Sequence, residues 1–190
     1  MLHRPKVQAV TDGGDIAGLV RRVQRGETVA YGPLVRAFLR PAYAVALAVL
    51  GRRADAEDVA QDAFIVALEK IESCRHPERF AGWLLQIVRN RAKNRREERR
   101  LRDVAPAADA VDAVVAPAMV AGSERGLLAA LEQLSAAQRE VVLLHDLEEW
   151  THAEIAAALE ISEVMSRQHL FQARRLLRGQ LAGEVEDEHE

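Results

Sequence analysis

Glu57, Asp58, Gln61 and Asp62 recur at i, i+3 and i+4 spacing, which gathers them on one face of a helix, with Asp55 just ahead of them. A carboxylate face of this kind can grip a basic partner, take up Mg²⁺, or be a solvated surface. The Mg²⁺ reading has no phosphate-binding glycine loop beside it. Thirty residues on, the charge reverses. From Arg89 to Arg102 there are eight basic and two acidic residues, so this stretch is +6 in a chain whose total is −3. Arg and Lys interleaved with Asn90 and Asn94 can set cations on phosphates and amides on base edges, and Phe80 and Trp83 at its entrance offer stacking surfaces for unpaired bases. A solvated basic helix with core aromatics is the plainer alternative, and for Trp83 alone the core is favoured.

Catalytic chemistry has little to stand on. His3, His76, His145, His152, His169 and His189 fall in different segments, and only His145 and His152 are close, at two helical turns interrupted by a boundary at Trp150-Thr151. No Ser-His-Asp or Cys-His arrangement and no metal-ligand set can be assembled, so no catalytic residue, metal or cofactor is assigned. Cys74 is the only cysteine, which rules out an intrachain disulfide and a Cys-based zinc site within one chain.

The elements that would position these residues are helical. Asp55 is a good N-cap for a helix running through Ile71, with Val59, Ala63, Val66 and Ala67 as its apolar stripe. The stretch 72–79 is polar and contains Pro77, so it is a loop, carrying Ser73, Arg75 and His76. The helix after it shows Phe80, Trp83, Leu84, Ile87 and Val88 at a period near 3.6 and continues through the basic run to Arg102. Composition rich in Ala, Leu, Glu and Arg predicts an all-α chain with essentially no sheet. Its 190 residues suffice for one domain or two small ones. The N-terminus lacks a signal-peptide core and no later run reads as a membrane span, so a soluble intracellular protein without membrane insertion is expected.

In chain order, Ile16, Leu19, Val20 and Val23 define a short amphipathic helix after Thr11-Asp12-Gly13-Gly14. A longer helix follows from about Glu27 to Leu50, which Pro41 should kink or split. These two and the pair already described make a four-helix domain over 1–102. Residues 103–122, Ala and Val with three Asp and two Pro, read as a flexible linker. A second four-helix domain spans 123–183: a helix through Leu134, a capping box Ser135-Ala136-Ala137-Gln138 opening the next, another at Thr151-His152-Ala153-Glu154 opening a helix of about nine residues, and Ser162 capping the last. Short helix, three-residue turn, longer helix is helix-turn-helix spacing. The exposed candidates for major-groove contact are Glu163, Arg167, Gln168, His169 and Gln172, with Arg174, Arg175 and Arg178 for phosphates. The tail 184–190 holds five carboxylates in seven residues.

In order, the blocks Asp55-Ala56-Glu57-Asp58-Val59-Ala60-Gln61-Asp62-Ala63-Phe64, Phe80-Ala81-Gly82-Trp83-Leu84-Leu85-Gln86-Ile87 with Asn90-Arg91-Ala92-Lys93-Asn94, and Leu134-Ser135-Ala136-Ala137-Gln138-Arg139-Glu140-Val141 resemble a group IV, extracytoplasmic-function sigma factor of bacterial RNA polymerase over about residues 12–182. The resemblance implies the following roles. Asp55, Glu57, Asp58, Gln61 and Asp62 would bind the clamp helices of the polymerase large subunit. Ser73, Arg75, His76, Phe80, Trp83, Arg89, Asn90, Lys93, Asn94 and Arg95 would hold the melted −10 element, with strand opening driven by binding energy rather than ATP. Thr151, Ser162, Arg167, Gln168, His169, Gln172, Arg174 and Arg175 would read or seat the −35 duplex. The partners implied are core RNA polymerase, promoter DNA and an anti-sigma factor. Four positions depart from the family pattern: Glu160 stands at a turn usually glycine, Ser166 where a buried aliphatic is usual, and Arg91 and Arg96 where apolar residues are frequent. The rival readings are a stand-alone helix-turn-helix regulator and a sigma-mimicking interaction protein; an enzyme is least supported.

Overall fold

The computed structural model describes residues 15–104 and 129–187, with side chains over 15–102 and 129–180; residues 1–14, the start of the second domain's first helix, the final residues 188–190 and the expected linker lie outside the described residues, except that the linker's first two positions, Asp103 and Val104, are helical and not linker. Among the described residues every regular element is helical. The first domain is built from α1 (Ile16–Gln24), α2 (Tyr31–Leu50), α3 (Arg53–Glu69) and α4 (Phe80–Val104). α2 is its centre, packing against both α3 and α4, which also pack on each other. It buries a dozen residues, among them Leu34, Phe38, Ala42, Val45 and Val49.

That burial explains two departures from expectation. Pro41 does not split α2, which runs unbroken from Tyr31 to Leu50. The proline's missing donor and clash cost about 3 kcal/mol in an exposed helix interior, but here Pro41 is itself buried among neighbours that hold the helix on both sides. Residues 28–50 also have the length of a membrane span and hold an 18-residue window of mean hydropathy 1.5, contrary to the expectation that no such run exists. Of that window 61% is buried against the other helices, the placement of a core helix.

α3 begins earlier than expected, at Arg53 after an extended Arg52, so Asp55 lies in the first turn and is not the N-cap. There its carboxylate still faces the positive end of the helix dipole, and it accepts from Arg99 Nη1 at 2.9 Å. The helix stops at Glu69, and two 3₁₀ turns, Ile71–Ser73 and Pro77–Arg79, carry the chain to α4. The Gln24 amide, from the end of α1, donates to the Ile71 and Cys74 carbonyls at 3.0 Å each and ties this loop to the domain.

The second domain resumes with helical residues 129–132, then α5 (Ala136–Val142), a π-helical turn Leu143–Leu147, α6 (His152–Leu159) and α7 (Glu163–Asp187). Both expected capping boxes form, Ser135 with Gln138 and Thr151 with Glu154. Ser162 Oγ accepts from the Met165 amide at 3.1 Å and starts α7, which runs past the expected end at Leu181 to Asp187. Between α6 and α7, Glu160 is left-handed at φ 55, ψ 40, the conformation the turn demands of a residue where glycine is usual.

The two domains are packed together. α4 lies on α6, and α2 on α5 and the π turn. Gly82 permits the close approach, since a side chain there would meet the Ala157 and Ala158 carbonyl oxygens at 3.4 Å. Arg89 Nε reaches both carboxylate oxygens of Glu140, at 3.0 and 3.2 Å, with the two side chains only 13% and 9% exposed. Burial pushes the Glu140 carboxyl up from 4.5, with Arg89 pulling it back only in part, and Arg89 Nη2 is buried without an acceptor.

Two outcomes follow in unfolding experiments on the full chain. Glu160→Gly removes the left-handed side-chain cost and should raise stability by about 1 kcal/mol, read as a shift in urea midpoint at unchanged slope. Arg89→Leu strands a buried carboxylate and should destabilise by about 3 kcal/mol or more, whereas Arg89→Met combined with Glu140→Leu should come out near neutral; equal losses in the single and double variants would contradict the desolvation argument.

Candidate nucleic-acid and polymerase interface

α3 presents its polar face outward, with Glu57, Asp58 and Gln61 exposed and Asp55 and Asp62 half-buried. The difference comes from α4 alongside. Arg91 Nη2 donates to Asp62 at 2.9 Å and Arg99 to Asp55 at the same distance, so the ends of the acidic face are tied to the basic helix. Arg91 therefore departs from the family pattern with a structural use. Arg96 has no comparable burial and stays exposed. The acidic face offered to a partner is narrower than the sequence suggests, centred on Glu57, Asp58 and Gln61.

The candidates for single-stranded DNA divide three ways. Ser73, Arg75 and His76 are exposed on the loop, where Ser73 Oγ donates to the Lys70 carbonyl at 2.7 Å and His76 Nδ1 lies 3.2 Å from Glu78. Asn90, Lys93 and Asn94 are exposed along α4, with Arg95 half-buried. One candidate is corrected, and a second is engaged elsewhere in this arrangement. Phe80 is wholly buried, edge-on to Phe38 at 5.5 Å, because as the first residue of α4 it points into the core that α2 organises; it is no stacking platform. Arg89 is turned to Glu140 of the other domain, so in this arrangement its charge is spent on the domain contact. Trp83 is half-buried, 5.8 Å from Phe80, and its remaining surface lines a cleft of about 1010 Å³ between the domains. Ser73, Arg75 and His76 line the same cleft, facing Trp150, Glu154 and Glu160 of the second domain.

On α7, Ser166, Leu170 and Ala173 are buried. The opposite face, half a helical turn away, carries Val164, Gln168, Phe171 and Arg175. Gln168 and Arg175 were expected there. Val164 and Phe171, 69% and 65% exposed, were not singled out, although their seven-residue spacing on the face away from Leu170 was a legible signal. Arg167 is exposed beside them and pairs with Glu163 at 2.8 Å. Gln172 accepts from Gln138 at 3.1 Å, and Arg174 Nε donates to Asp146 at 3.1 Å, so both are partly engaged within the domain. His169 is half-buried with Nδ1 unpartnered, and the Thr151 hydroxyl is used in its capping box. Thr151 and Ser162 thus shape the motif; Arg167, Gln168 and Arg175 are its available polar groups.

The chain matches the family Sigma-70 region 2 over residues 34–102 and Sigma-70, region 4 over residues 124–177. A probable RNA polymerase sigma factor, RfaY, of Xanthomonas campestris is 32% identical over 161 residues, covering 80% of this chain, which spans 40% of that relative's length. The ECF RNA polymerase sigma factor BldN of Streptomyces coelicolor is 28% identical, over 92% of this chain and 69% of its own. In fold, the chain is similar to the sigma factor RpoE of Bartonella quintana, solved in complex with the anti-sigma factor NepR, at a TM-score of 0.58 and 23% identity over 80% of this chain and 96% of that one. With region 2 on the domain that carries the acidic face and the basic helix, and region 4 on the domain that carries the helix-turn-helix, the chain belongs to the sigma-70 family as an extracytoplasmic-function sigma factor, a protein that directs promoter-specific initiation of transcription.

Proposed function

We propose that this sigma factor engages core RNA polymerase through Glu57, Asp58 and Gln61, holds the melted −10 element with the 73–79 loop and the exposed side of α4, and reads the −35 duplex with α7. The observation that carries the reading is the division of charge and shape between the two domains. One exposes a compact acidic face back to back with a basic helix; the other exposes the outer face of a capped recognition helix. Asp55 and Asp62 support the acidic face through their pairs with Arg99 and Arg91. Ser73, Arg75, His76, Trp83, Asn90, Lys93, Asn94 and Arg95 line the path of the opened strand. Arg89 joins that path when the second domain moves off it.

Separation of the domains belongs to this reading. The loop and Trp83 share their cleft with Glu154 and Glu160, and carboxylates facing a DNA backbone repel it. On α7, Arg167 and Gln168 reach guanine and adenine edges, while Val164 and Phe171 supply apolar contact to thymine methyl groups. Arg174, Arg175 and Arg178 seat the phosphates. An anti-sigma partner, as in the RpoE and NepR complex, would cover the same surfaces.

Transcription from a promoter library with purified core polymerase and this protein tests the whole reading: specific starts are expected, while specific DNA binding without starts would favour a stand-alone regulator, and neither would favour a sigma mimic. Glu57→Arg with Asp58→Arg should abolish binding to core polymerase while leaving helical content and unfolding midpoint near those of the wild type; undiminished core binding would remove that surface from the assignment. Arg167→Ala should cost about 1 to 3 kcal/mol on the cognate −35 duplex and little on unrelated duplexes, measured by fluorescence anisotropy.

A further inference from the structure

Ser166 is completely buried on the inner face of the recognition helix, and with Glu140 it makes up the buried polar residues among those described. A hydroxyl placed where an aliphatic side chain would pack is costly unless it is hydrogen-bonded. Its partner is His152, the first residue of α6, whose Nδ1 lies 2.9 Å from Ser166 Oγ. This bond joins the two helices of the motif across the turn at Glu160. The His152 ring in turn stacks on His145 of the π turn, with centroids 4.8 Å apart and planes inclined at 33°. His145 Nδ1 is 2.8 Å from Asp146, and Asp146 accepts from Arg174 of α7. The chain of contacts therefore leaves α7 at Ser166, crosses two imidazoles and returns to α7 at Arg174, two helical turns on. Arg167, Gln168 and Phe171, three of the residues given base contacts above, lie between these two fixed points.

We propose that His152 is a positioning residue that sets the angle of α7 through Ser166, and that its place against His145 makes −35 recognition proton-sensitive, strongest with His152 neutral. The inference rests on the reading of α7 as the −35 helix. The titratable and charged groups facing His152 are His145 from the π turn and Glu163, Arg167 and Arg174 from α7, with Asp146 held against His145. Of these, Arg167 is paired with Glu163 and Arg174 with Asp146. A proton on His152 therefore meets cations whose counter-charges are already engaged, and a proton on each ring sets like charges against one another. Burial, and after it the charges of His145, Arg167 and Arg174, hold the His152 imidazole below its ordinary 6.5, with Glu163 pulling the other way. A group with a depressed value takes up its proton more readily when released, so the seated arrangement is fully favoured above pH 6.5 and loses ground as pH falls below it.

The test uses the full chain and the −35 duplex drawn from the promoter library, with anisotropy read from pH 8 to pH 5.5 at constant ionic strength. His152→Gln can keep a bond to Ser166 and cannot take a proton; His152→Ala cannot keep the bond. The wild type should bind several-fold more weakly at pH 5.5 than at pH 8. His152→Gln should bind about as well as the wild type at pH 8 with a flattened profile, and His152→Ala should be weakened throughout. A His152→Gln profile as steep as that of the wild type overturns the inference. If no duplex is bound at any pH, the −35 reading has failed, and thermal unfolding decides the inference separately: the melting temperature of the wild type should fall more steeply below pH 6.5 than that of His152→Gln, and parallel curves overturn it.

Discussion

The first domain depends on burying α2. Its apolar surface is too large to leave in water, and the way to cover it is to lay the apolar stripes of α3 and α4 along it. Once Val59, Ala63 and Phe64 of one helix and Phe80, Leu84 and Val88 of the other face inward, their polar faces have no freedom: the carboxylates of α3 and the guanidinium groups of α4 must both lie on the outside, and near each other. The ion pairs Asp62 to Arg91 and Asp55 to Arg99 are consequences of this packing. Pairs with such exposure contribute roughly 0 to 1 kcal/mol each, against about 25 cal/mol for every Å² of apolar surface covered. They orient the two faces more than they hold the fold.

The surfaces proposed for a protein partner and for nucleic acid are thereby built on opposite charges a helix apart, and the pairing between them trims both. The domain contact trims them further. Gly82 lets α6 approach α4, Arg89 is drawn to Glu140, and the loop around His76 faces the carboxylates of the second domain. The same residues that suit an opened DNA strand are, in this arrangement, partly spent on holding the chain closed.

The second domain is a small set of short helices whose positions are fixed by caps and polar contacts as much as by apolar area. Ser135, Thr151 and Ser162 each begin a helix, Glu160 takes the left-handed turn, and the His152 to Ser166 bond replaces an apolar contact at the centre of the motif. In a domain of this size such specific contacts set the angle between the brace helix and the recognition helix, and that angle decides which side chains reach a groove.

The sequence by itself determined the all-helical class, the order of the elements, the helix-turn-helix, both capping boxes and the separation of acidic from basic surface, because each is written in local periodicity, capping chemistry or charge count. The family was legible from the blocks around Asp58, Trp83 and Ser135. Tertiary structure alone decided which members of each face remain available. Periodicity placed Phe80 beside Trp83 but could not show that α2 would bury one and leave the other at a cleft. Charge counting made Arg89 a cation for DNA, but its partner Glu140 lies 51 residues away in sequence. Ser166 departed from the family pattern, and His145 and His152 were merely close in sequence across a helix boundary, until folding brought the three together. Local signals report what a residue can do; long-range packing determines which neighbour it meets, and pairing energies depend on that neighbour and on how much water it excludes.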